Sequence, residues 1–236
     1  MAVSAPTPAK SEAVRAMFTR IAGRYDLMNS LMTGGRHHAW RLVAARETVG
    51  APPGPILDLA TGTADLALAV RDLDRSRAVF GADFAEAMLH AAAQKPSVRT
   101  TRLPLLGADA LKLPFRSGTF AAVTSAFLLR NLEDLSAGLR EMLRVTKRGG
   151  RVVTLEITRP SVPVWSQLFG VYFHRVVPMV GAMVAGDRQA YTYLPESVDR
   201  FLTPPELDTL FRSLGFREVR HRRLGLGTIA IHTATV

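Results

Sequence analysis

The stretch PILDLATGTAD, residues 55–65, decides how this chain folds. Ile56 and Leu57 form a short apolar run that predicts a buried strand, and the acidic residue Asp58 follows them. Small residues at 60–64 then predict a tight turn, and a helical apolar pattern begins at Leu66. A strand that turns through small side chains into a helix lets a ligand approach backbone N–H groups at the helix N-terminus.

The order of acidic and small residues in this turn is typical of the loop that holds S-adenosyl-L-methionine in Rossmann-like enzymes. Three glycines are usual there, whereas in this chain only Gly62 remains, with Ala60 and Ala64 in the outer places. Alanine is tolerated where the loop needs close packing, and less so where φ must be positive. On its own the pattern fits an ordinary tight turn equally well, so both interpretations stay open here.

The composition fits one α/β domain. The 236 residues are 47% hydrophobic, which is enough to bury a full core. The chain has no cysteine, which excludes disulfides, thiolate metal sites and a thiol nucleophile. The first residues lack the apolar core of a signal peptide. We therefore expect a flexible tail at 1–12, a single domain at 13–236, and a cytoplasmic location.

The formal net charge of +10 favours anionic partners such as nucleic acid, phospholipid headgroups or an acidic substrate. The cations are scattered, and the densest run, REVRHRR at 217–223, has no interleaved aromatic residues. A solvated face explains that run better than an RNA-binding surface. Nucleic acid is therefore not a favoured partner, and the sequence leaves the oligomeric state open.

Strand and helix patterns alternate along the chain, which predicts a mostly parallel sheet covered on both faces. Seven strands are predicted, at 56–59, 78–82, 103–107, 122–126, 151–155, 218–222 and 228–234. The last two strands adjoin without room for a crossover helix, so we expect them to pair antiparallel at one edge. Helices between residues 12 and 49 are expected to close over the first loop. A capping box at Thr203 and Glu206 opens a late helix, and Gly149-Gly150 closes an earlier one.

A helical insertion is predicted at 160–200, between the fifth and sixth strands. Its apolar part, residues 162–185, is interrupted by Gln167, His174, Arg175 and Pro178, so we expect no uninterrupted apolar span long enough to cross a bilayer. Two interpretations are compatible with each other: a pair of core helices, and a lid over a hydrophobic substrate that touches a membrane surface.

Ligands of an open parallel sheet bind beyond the carboxyl ends of its strands, which selects the candidate site residues. Asp83 ends the second strand and can accept both hydroxyls of a ribose. Arg130 and Asn131 follow the fourth strand, at the rim where substrate oxygens would bind. The predicted cofactor-binding residues are Ala60, Gly62, Thr63, Asp83, Met88, Asp109, Ala110 and Ala126. Met88 fits both an adenine contact and core filling. No metal site is predicted.

The run YDLMNSLMTGGRHHAW, residues 25–40, closely resembles a signature of the ubiquinone/menaquinone biosynthesis C-methyltransferase family. The resemblance continues through LDLATGTAD, GADALKLPF, FLLRNLED and AYTYLPES, and covers nearly the whole chain from Val14 onward. It implies a class I methyltransferase fold and S-adenosyl-L-methionine-dependent C-methylation of a prenylated quinol. It also adds Tyr25 and His37 to the candidate catalytic residues.

Several residues depart from the family pattern. Ala64 replaces a glycine of the cofactor loop, and Ala121 replaces an aspartate before the fourth strand. Leu128 replaces the glycine of FGLRN, which we expect to lie next to the acceptor pocket. These departures leave two alternatives open: a specialised paralogue that methylates another aromatic or polyketide metabolite, and a protein that binds S-adenosyl-L-methionine without turnover.

The resemblance implies a reaction in which the quinol loses a hydroxyl proton, so that the neighbouring ring carbon becomes nucleophilic. Arg130 stays protonated and cannot easily be the base, so we expect it to stabilise the phenolate, with a water as one route for the proton. Asn131 would orient the ring oxygen, and Tyr25 would hydrogen-bond the acceptor or form its wall. His37 fits both a base and a structural residue beside Trp40.

Overall fold

The stretch at 56–59 forms an interior strand of a seven-stranded sheet, next to its central strand. The structure is a computed structural model that describes residues 10–236. The strands are β1 Ile56–Leu59, β2 Val79–Asp83, β3 Leu105–Gly107, β4 Phe120–Ala126, β5 Thr146–Ile157, β6 Arg217–Leu224 and β7 Ile229–Thr235. Their order is β3-β2-β1-β4-β5-β7-β6, and β7 runs antiparallel to both of its neighbours. The predicted fold class, with an antiparallel last strand, is confirmed.

All seven predicted strands form, with bounds that shift by a few residues. The largest difference is at β5, which is twelve residues long and begins at Thr146. The expected antiparallel pairing of the last two strands is confirmed, and β7 lies between β5 and β6 so that β6 is the edge. The carboxyl ends of β1, β2 and β4 therefore lie side by side, where the candidate residues were predicted.

Helices cover both faces of the sheet and its ligand-binding edge. They are α1 Lys10–Ile21, α2 Tyr25–Thr33, α3 Arg36–Arg46, α4 Asp65–Leu73, α5 Glu86–Gln94, α6 Pro96–Thr101, α7 Leu135–Val145, α8 Pro163–Val171, α9 Val177–Val180, α10 Arg188–Asp199 and α11 Pro204–Ser213. The helices predicted between 12 and 49 are α1 to α3. Of the tail predicted at 1–12, residues 1–9 lie outside the described residues, and residues 10–12 belong to α1.

Two local predictions about helix ends have different outcomes. The capping box is confirmed, because the Glu206 carboxylate accepts the Thr203 backbone N–H at 2.7 Å. The prediction that Gly149-Gly150 closes α7 is wrong, because α7 ends at Val145 and the glycines lie inside β5. The register between β4 and β5 shifts there, and a side chain at Gly150 would lie 2.7 Å from the Ala121 carbonyl oxygen.

Alternating residues of β1 face two apolar clusters. Leu57 and Leu59 pack on one face with residues of α7 and α11, and Ile56 packs on the other face with residues of α3 and α4. A third cluster lies between the N-terminal helices and the insertion, and includes Met28 and Phe173. This third cluster joins the insertion to the ligand-binding edge of the sheet.

The helical insertion between β5 and β6 is confirmed, and the expectation that it has no apolar span long enough to cross a bilayer is corrected. Residues Pro163–Ala185, here called the insertion helix, form one helix in which π-turns interrupt the α-helical segments. By length and composition alone, this helix is long and apolar enough to cross a membrane. Only 22% of its most apolar window is buried in the protein. The polar residues inside it do not shorten it below that length.

Gly181 allows the insertion helix to pack against α10. A Cβ atom built at Gly181 would lie 2.3 Å from ring atoms of Tyr191, closer than real Cβ contacts come. Gly170, in the same helix, has no atom within 4 Å of such a Cβ. The two glycines therefore differ in packing although both are helical.

We expect Gly181→Ala to lower the free energy of unfolding by about 1–3 kcal/mol, because the Tyr191 ring must move. Gly170→Ala, the matched control, should raise it by up to about 1 kcal/mol, since alanine favours the helix over glycine. Urea unfolding of both variants at constant m-value measures the difference. Equal shifts in the two midpoints would contradict this account of the packing.

Candidate active site

The loop after β1 takes an unusual backbone conformation. Ala60, Gly62 and Ala64 all have positive φ, at 54°, 55° and 68°. Positive φ costs a non-glycine residue about 1–2 kcal/mol, so both alanines are strained. The buried Asp58 carboxylate supports the turn by accepting hydrogen bonds from Thr61 at 2.7 Å and from a β4 threonine at 2.8 Å. Burial raises the pKa of Asp58 to about 6.

Asp83 joins this loop to the end of β2. Its carboxylate accepts the Gly62 N–H at 2.8 Å and the Ala85 N–H at 2.9 Å, and burial raises its pKa. A carboxylate offers about four lone-pair positions, so about two remain for the paired hydroxyls of a ribose. The geometry therefore fits the contact that the sequence predicted for Asp83.

A cavity of about 780 Å³, partly open to solvent, lies over the ends of β1, β2 and β4; we call it the loop cavity. Seven of the eight predicted cofactor-binding residues line it: Ala60, Gly62, Asp83, Met88, Asp109, Ala110 and Ala126. A side chain at Gly62 would come within 3.3 Å of the Met88 Cε atom, so the absence of a side chain keeps this wall open. The lining fits a nucleoside that carries a ribose.

Thr63 is the exception among the predicted cofactor residues, because it does not line the loop cavity. Its buried hydroxyl donates to Asp26 at 2.6 Å. Asp26 in turn pairs with Lys95 at 2.6 Å, and Lys95 pairs with Asp65 at 2.6 Å. Thr63 thus connects α2 to the loop, a role that the sequence did not reveal.

A second cavity, of about 950 Å³ and also partly open, lies beneath the insertion helix; we call it the insertion cavity. Its lining is mostly apolar and aromatic, and it includes all four predicted catalytic residues, Tyr25, His37, Arg130 and Asn131. Four residues line both cavities: Phe18, Tyr25, Phe127 and Asn131. The two cavities therefore adjoin, so a ligand in one can face a ligand in the other.

Arg130 is held by a carboxylate that the sequence analysis missed. Glu156, in β5, accepts from the Arg130 guanidinium at 2.8 Å and from the Leu129 N–H at 2.6 Å. Both side chains of the pair are buried, and burial raises the pKa of Glu156 even beside the arginine. The available clue was one acidic residue directly after the mostly apolar run at 152–155, because a buried charge needs a partner.

Asn131 and Phe127 are fixed by neighbours of the same loop and of α10. The Asn131 amide donates to the Phe127 carbonyl at 2.9 Å, and its oxygen accepts from Tyr193 at 3.1 Å. Phe127 has a positive φ of 63°, and the guanidinium carbons of Arg41 and Arg130 lie 5.7 and 5.6 Å from its ring centroid. Strained residues of this kind concentrate at functional sites.

His37 has both ring nitrogens engaged. Arg41 donates to Nδ1, so Nε2 carries the proton and donates to the Ser30 hydroxyl at 3.1 Å. Burial, Arg41 and His38 together lower the pKa of His37 to about 4. No ring lone pair is left to accept a proton from a substrate, so the arrangement favours the structural interpretation of His37 over the catalytic one.

The expected position of Leu128 is corrected. Leu128 is buried and lines the loop cavity, and it is not among the residues that line the insertion cavity. Its φ of −90° is ordinary, so leucine replaces the family's glycine there without backbone strain. The departure therefore lies at the loop cavity rather than at the insertion cavity.

Two groups of side chains in residues 10–236 are close enough to hold a metal ion: His37, His38 and Asp65, and Asp208, His221 and His232. In each group an arginine lies within 4.0 Å of the carboxylate, at 3.6 Å from Asp65 and 3.9 Å from Asp208. A guanidinium beside the carboxylate opposes cation binding. The absence of a metal site stays a prediction.

The sheet order, with β7 inserted antiparallel between β5 and β6, defines the fold of the class I S-adenosylmethionine-dependent methyltransferases. Solved structures agree. The [4+2]-cyclase SpnF superposes with a TM-score of 0.70 at 18% identity, covering 99% of this chain and 98% of that one. A SAM-dependent methyltransferase from Thermotoga maritima superposes with a TM-score of 0.65 at 19% identity, covering 93% and 98%. At these identities the likeness shows the fold alone.

Sequence comparison shows the family. The ubiE/COQ5 methyltransferase family model matches residues 6–236, and the chain belongs to that family. The demethylmenaquinone methyltransferase from Deinococcus radiodurans is 42% identical, and the match covers 92% of this chain and 90% of that protein. The demethylmenaquinone methyltransferase from Thermus thermophilus is 44% identical, and the match covers 92% of this chain and 98% of that protein. A ubiquinone/menaquinone biosynthesis C-methyltransferase from Desulfotalea psychrophila is 42% identical, covering 94% and 90%. The chain is an S-adenosylmethionine-dependent methyltransferase.

We expect His37→Gln to keep kcat within about threefold, because the histidine has no lone pair for catalysis. The pKa of His37 falls from about 6.5 in the unfolded chain to about 4 in the folded protein. The histidine therefore lowers the free energy of unfolding as the pH drops from about 6.5 to about 4. Over that range the free energy of unfolding should fall less steeply with decreasing pH in the variant than in the wild type. The two slopes should differ by at most about 1.4 kcal/mol per pH unit. Denaturant unfolding at pH 7 and 4.5 checks this. A hundredfold fall in kcat would restore the catalytic role.

Proposed function

We propose that this protein transfers a methyl group from S-adenosyl-L-methionine to a ring carbon of a prenylated quinol, with demethylmenaquinol as the acceptor. The observation that carries the proposal is the pair of adjoining cavities. One has a loop and a carboxylate suited to a nucleoside, and the other is apolar with a buried guanidinium on its wall. The two relatives named demethylmenaquinone methyltransferase support the naphthoquinol over the benzoquinol.

The loop cavity would hold the cofactor, which supplies an electrophilic methyl group when bound. Asp83 would bind the ribose hydroxyls, and Met88 and Ala110 would flank the adenine, with Asp109 as acceptor for its amino group. Gly62 lets the ligand approach the backbone of the loop. Tyr25 and Phe127, on the boundary of the two cavities, would align the acceptor ring with the methyl group.

Arg130 would stabilise the phenolate that forms when the acceptor loses a hydroxyl proton. A buried guanidinium acts there more strongly than it would in water, because the surroundings screen it less. Glu156 fixes its position before the substrate arrives, so little reorganisation is needed. Asn131, held by Tyr193, would orient the ring beside it. We assign the departing proton to a water, since His37 is engaged elsewhere.

The insertion, residues 160–200, would cover the acceptor and contact the inner face of the cytoplasmic membrane. The inner side of the insertion helix lines the insertion cavity with Phe169, Phe173 and Val177. Its outer side exposes large apolar residues: Val164, Leu168, Val171, Met179 and Met183. An apolar helix face beside cations binds at the surface of an anionic bilayer. Arg175 is exposed on the helix, and the Arg24 guanidinium donates to the Val184 carbonyl near its end.

The proposal is tested with S-adenosyl-L-methionine labelled in its methyl group. We expect micromolar binding of the cofactor in isothermal titration, and label on the ring carbon of demethylated prenyl-naphthoquinol by mass spectrometry. A panel with benzoquinols and soluble aromatic acceptors distinguishes the alternatives. Transfer only to a soluble aromatic acceptor would favour a specialised paralogue, and binding without transfer to any acceptor would indicate a protein without turnover.

Arg130→Lys keeps a positive charge beside Glu156 and removes the planar donor fork. We expect it to lower kcat by about 100-fold or more and to change the cofactor Kd by less than twofold. The matched control is Arg41→Lys, because Arg41 contacts the same Phe127 ring and does not line the insertion cavity. Equal losses of turnover and cofactor affinity in the Arg130 variant would overturn its assignment to the phenolate.

Vesicle sedimentation tests the membrane contact, using phosphatidylcholine with one quarter phosphatidylglycerol. The double variant Leu168→Ser/Met183→Ser should lower the partition coefficient by about 10- to 100-fold, since it removes two apolar side chains from the contact. The double variant Val49→Ser/Leu73→Ser changes exposed apolar residues outside the insertion and serves as control. The same partition coefficient for both variants would refute a contact through the insertion helix.

A further inference from the structure

The polar groups that line the insertion cavity include two contrasting sets. Six side chains already have hydrogen-bond partners within the protein: Thr33, His37, Asn131, Tyr172, Tyr193 and Thr228. Three buried polar atoms have none among residues 10–236: Asn29 Nδ2, Arg130 Nε and the Tyr191 hydroxyl. Buried polar atoms in folded proteins nearly always have partners, so atoms without one call for a ligand or another explanation.

The Tyr191 hydroxyl is the most deeply placed of the three. Tyr191 is 4% exposed, and its ring packs so closely on the insertion helix that only glycine fits at 181. Burial, with Tyr25 and Asp187 nearby, raises the pKa of Tyr191, so its hydroxyl keeps its proton. The side chain is thus fixed, neutral and able to both donate and accept a hydrogen bond.

Asn29 lines the insertion cavity together with Tyr191. Asn29 follows Tyr25 by one turn of α2, so their side chains share a helix face. Tyr25 packs against the third apolar cluster, to which Tyr191 belongs. Tyr193, two residues further along α10, points about 200° away around the helix and contacts Asn131 instead. The cavity therefore has polar groups at two separate places.

We infer that Asn29 and Tyr191 form a second oxygen-binding site, which recognises the ring oxygen remote from Arg130. The site accepts an aromatic ring that carries two oxygens on opposite sides. The Asn29 amide donates to the remote oxygen, and the Tyr191 hydroxyl accepts from it or donates to it. A ring with a single hydroxyl would leave both groups buried and unpaired, which costs binding energy. The inference rests on the proposed function and adds how the enzyme selects a para-diol.

The test compares two acceptors with the full-length protein. One is a prenylated 1,4-naphthoquinol, and the other is the naphthol that keeps the hydroxyl beside the methylated carbon and lacks the remote one. Tyr191→Phe should lower kcat/KM for the diol by about 10- to 100-fold. It should change kcat/KM for the acceptor with one hydroxyl by less than threefold. Asn29→Leu should give the same pattern.

Tyr172→Phe is the matched control. It removes a hydroxyl from the same cavity, but one that already donates to the Met32 carbonyl at 2.7 Å. We expect Tyr172→Phe to change kcat/KM for both acceptors by the same factor and to lower the melting temperature of the protein. Tyr191→Phe should keep or raise the melting temperature of the ligand-free protein, because it removes a buried hydroxyl without a partner.

Equal effects of Tyr191→Phe on both acceptors, or no effect on the diol, would overturn the second site while leaving the methyltransferase activity intact. A second readout separates the two proposals. If the wild type binds the diol without methylating it, the proposed function fails, and the ratio of diol Kd values between wild type and variant still tests the site. Absence of diol binding by the wild type would overturn both.

Discussion

The ion pair of Arg130 and Glu156 determines the geometry of the region between the two cavities. Both side chains are buried, at 7% and 2% exposure, and an ion pair in such a place gains little net stability once desolvation is counted. The ion pair instead fixes the position of the Arg130 side chain. Glu156 also accepts the Leu129 N–H, so one carboxylate fixes the backbone of the loop and the guanidinium it carries. Phe127, at positive φ in the same loop, has the guanidinium carbons of Arg41 and Arg130 at 5.7 and 5.6 Å from its ring centroid.

The cofactor loop depends on a comparable arrangement of carboxylates. Asp58 supports the turn from below and Asp83 accepts the Gly62 N–H, so two buried carboxylates hold a backbone that two alanines would otherwise resist. Asp26 extends the arrangement to α2 through Thr63. The N-terminal helices are therefore part of the site, since the helix that carries Tyr25 is bonded to the loop that would hold the cofactor.

Local patterns predicted the strands and brought together seven residues that line the loop cavity, because alternation and strand ends are properties of short segments. Contacts between distant segments were beyond such patterns: Glu156 meets Arg130 across 26 residues, and Tyr193 meets Asn131 across 62. Thr63 shows the same limit, since its partner lies in another helix. Leu128 was misplaced for a different reason. Neighbouring residues of a 3-10 turn point in different directions, so proximity to Arg130 in sequence did not imply the same cavity.

The insertion helix has apolar residues both on the side that lines the insertion cavity and on the side that is exposed. A core helix would bury most of its apolar surface, whereas this one buries 22% of its most apolar window and still lines a cavity on its inner side. A hydrophobic acceptor explains both faces at once, because a prenyl chain that leaves the bilayer must stay out of water along its route. The exposed face would then be covered by lipid while the inner face covers the ring. Under the proposed function, both faces would thus follow from the physical chemistry of one lipophilic substrate.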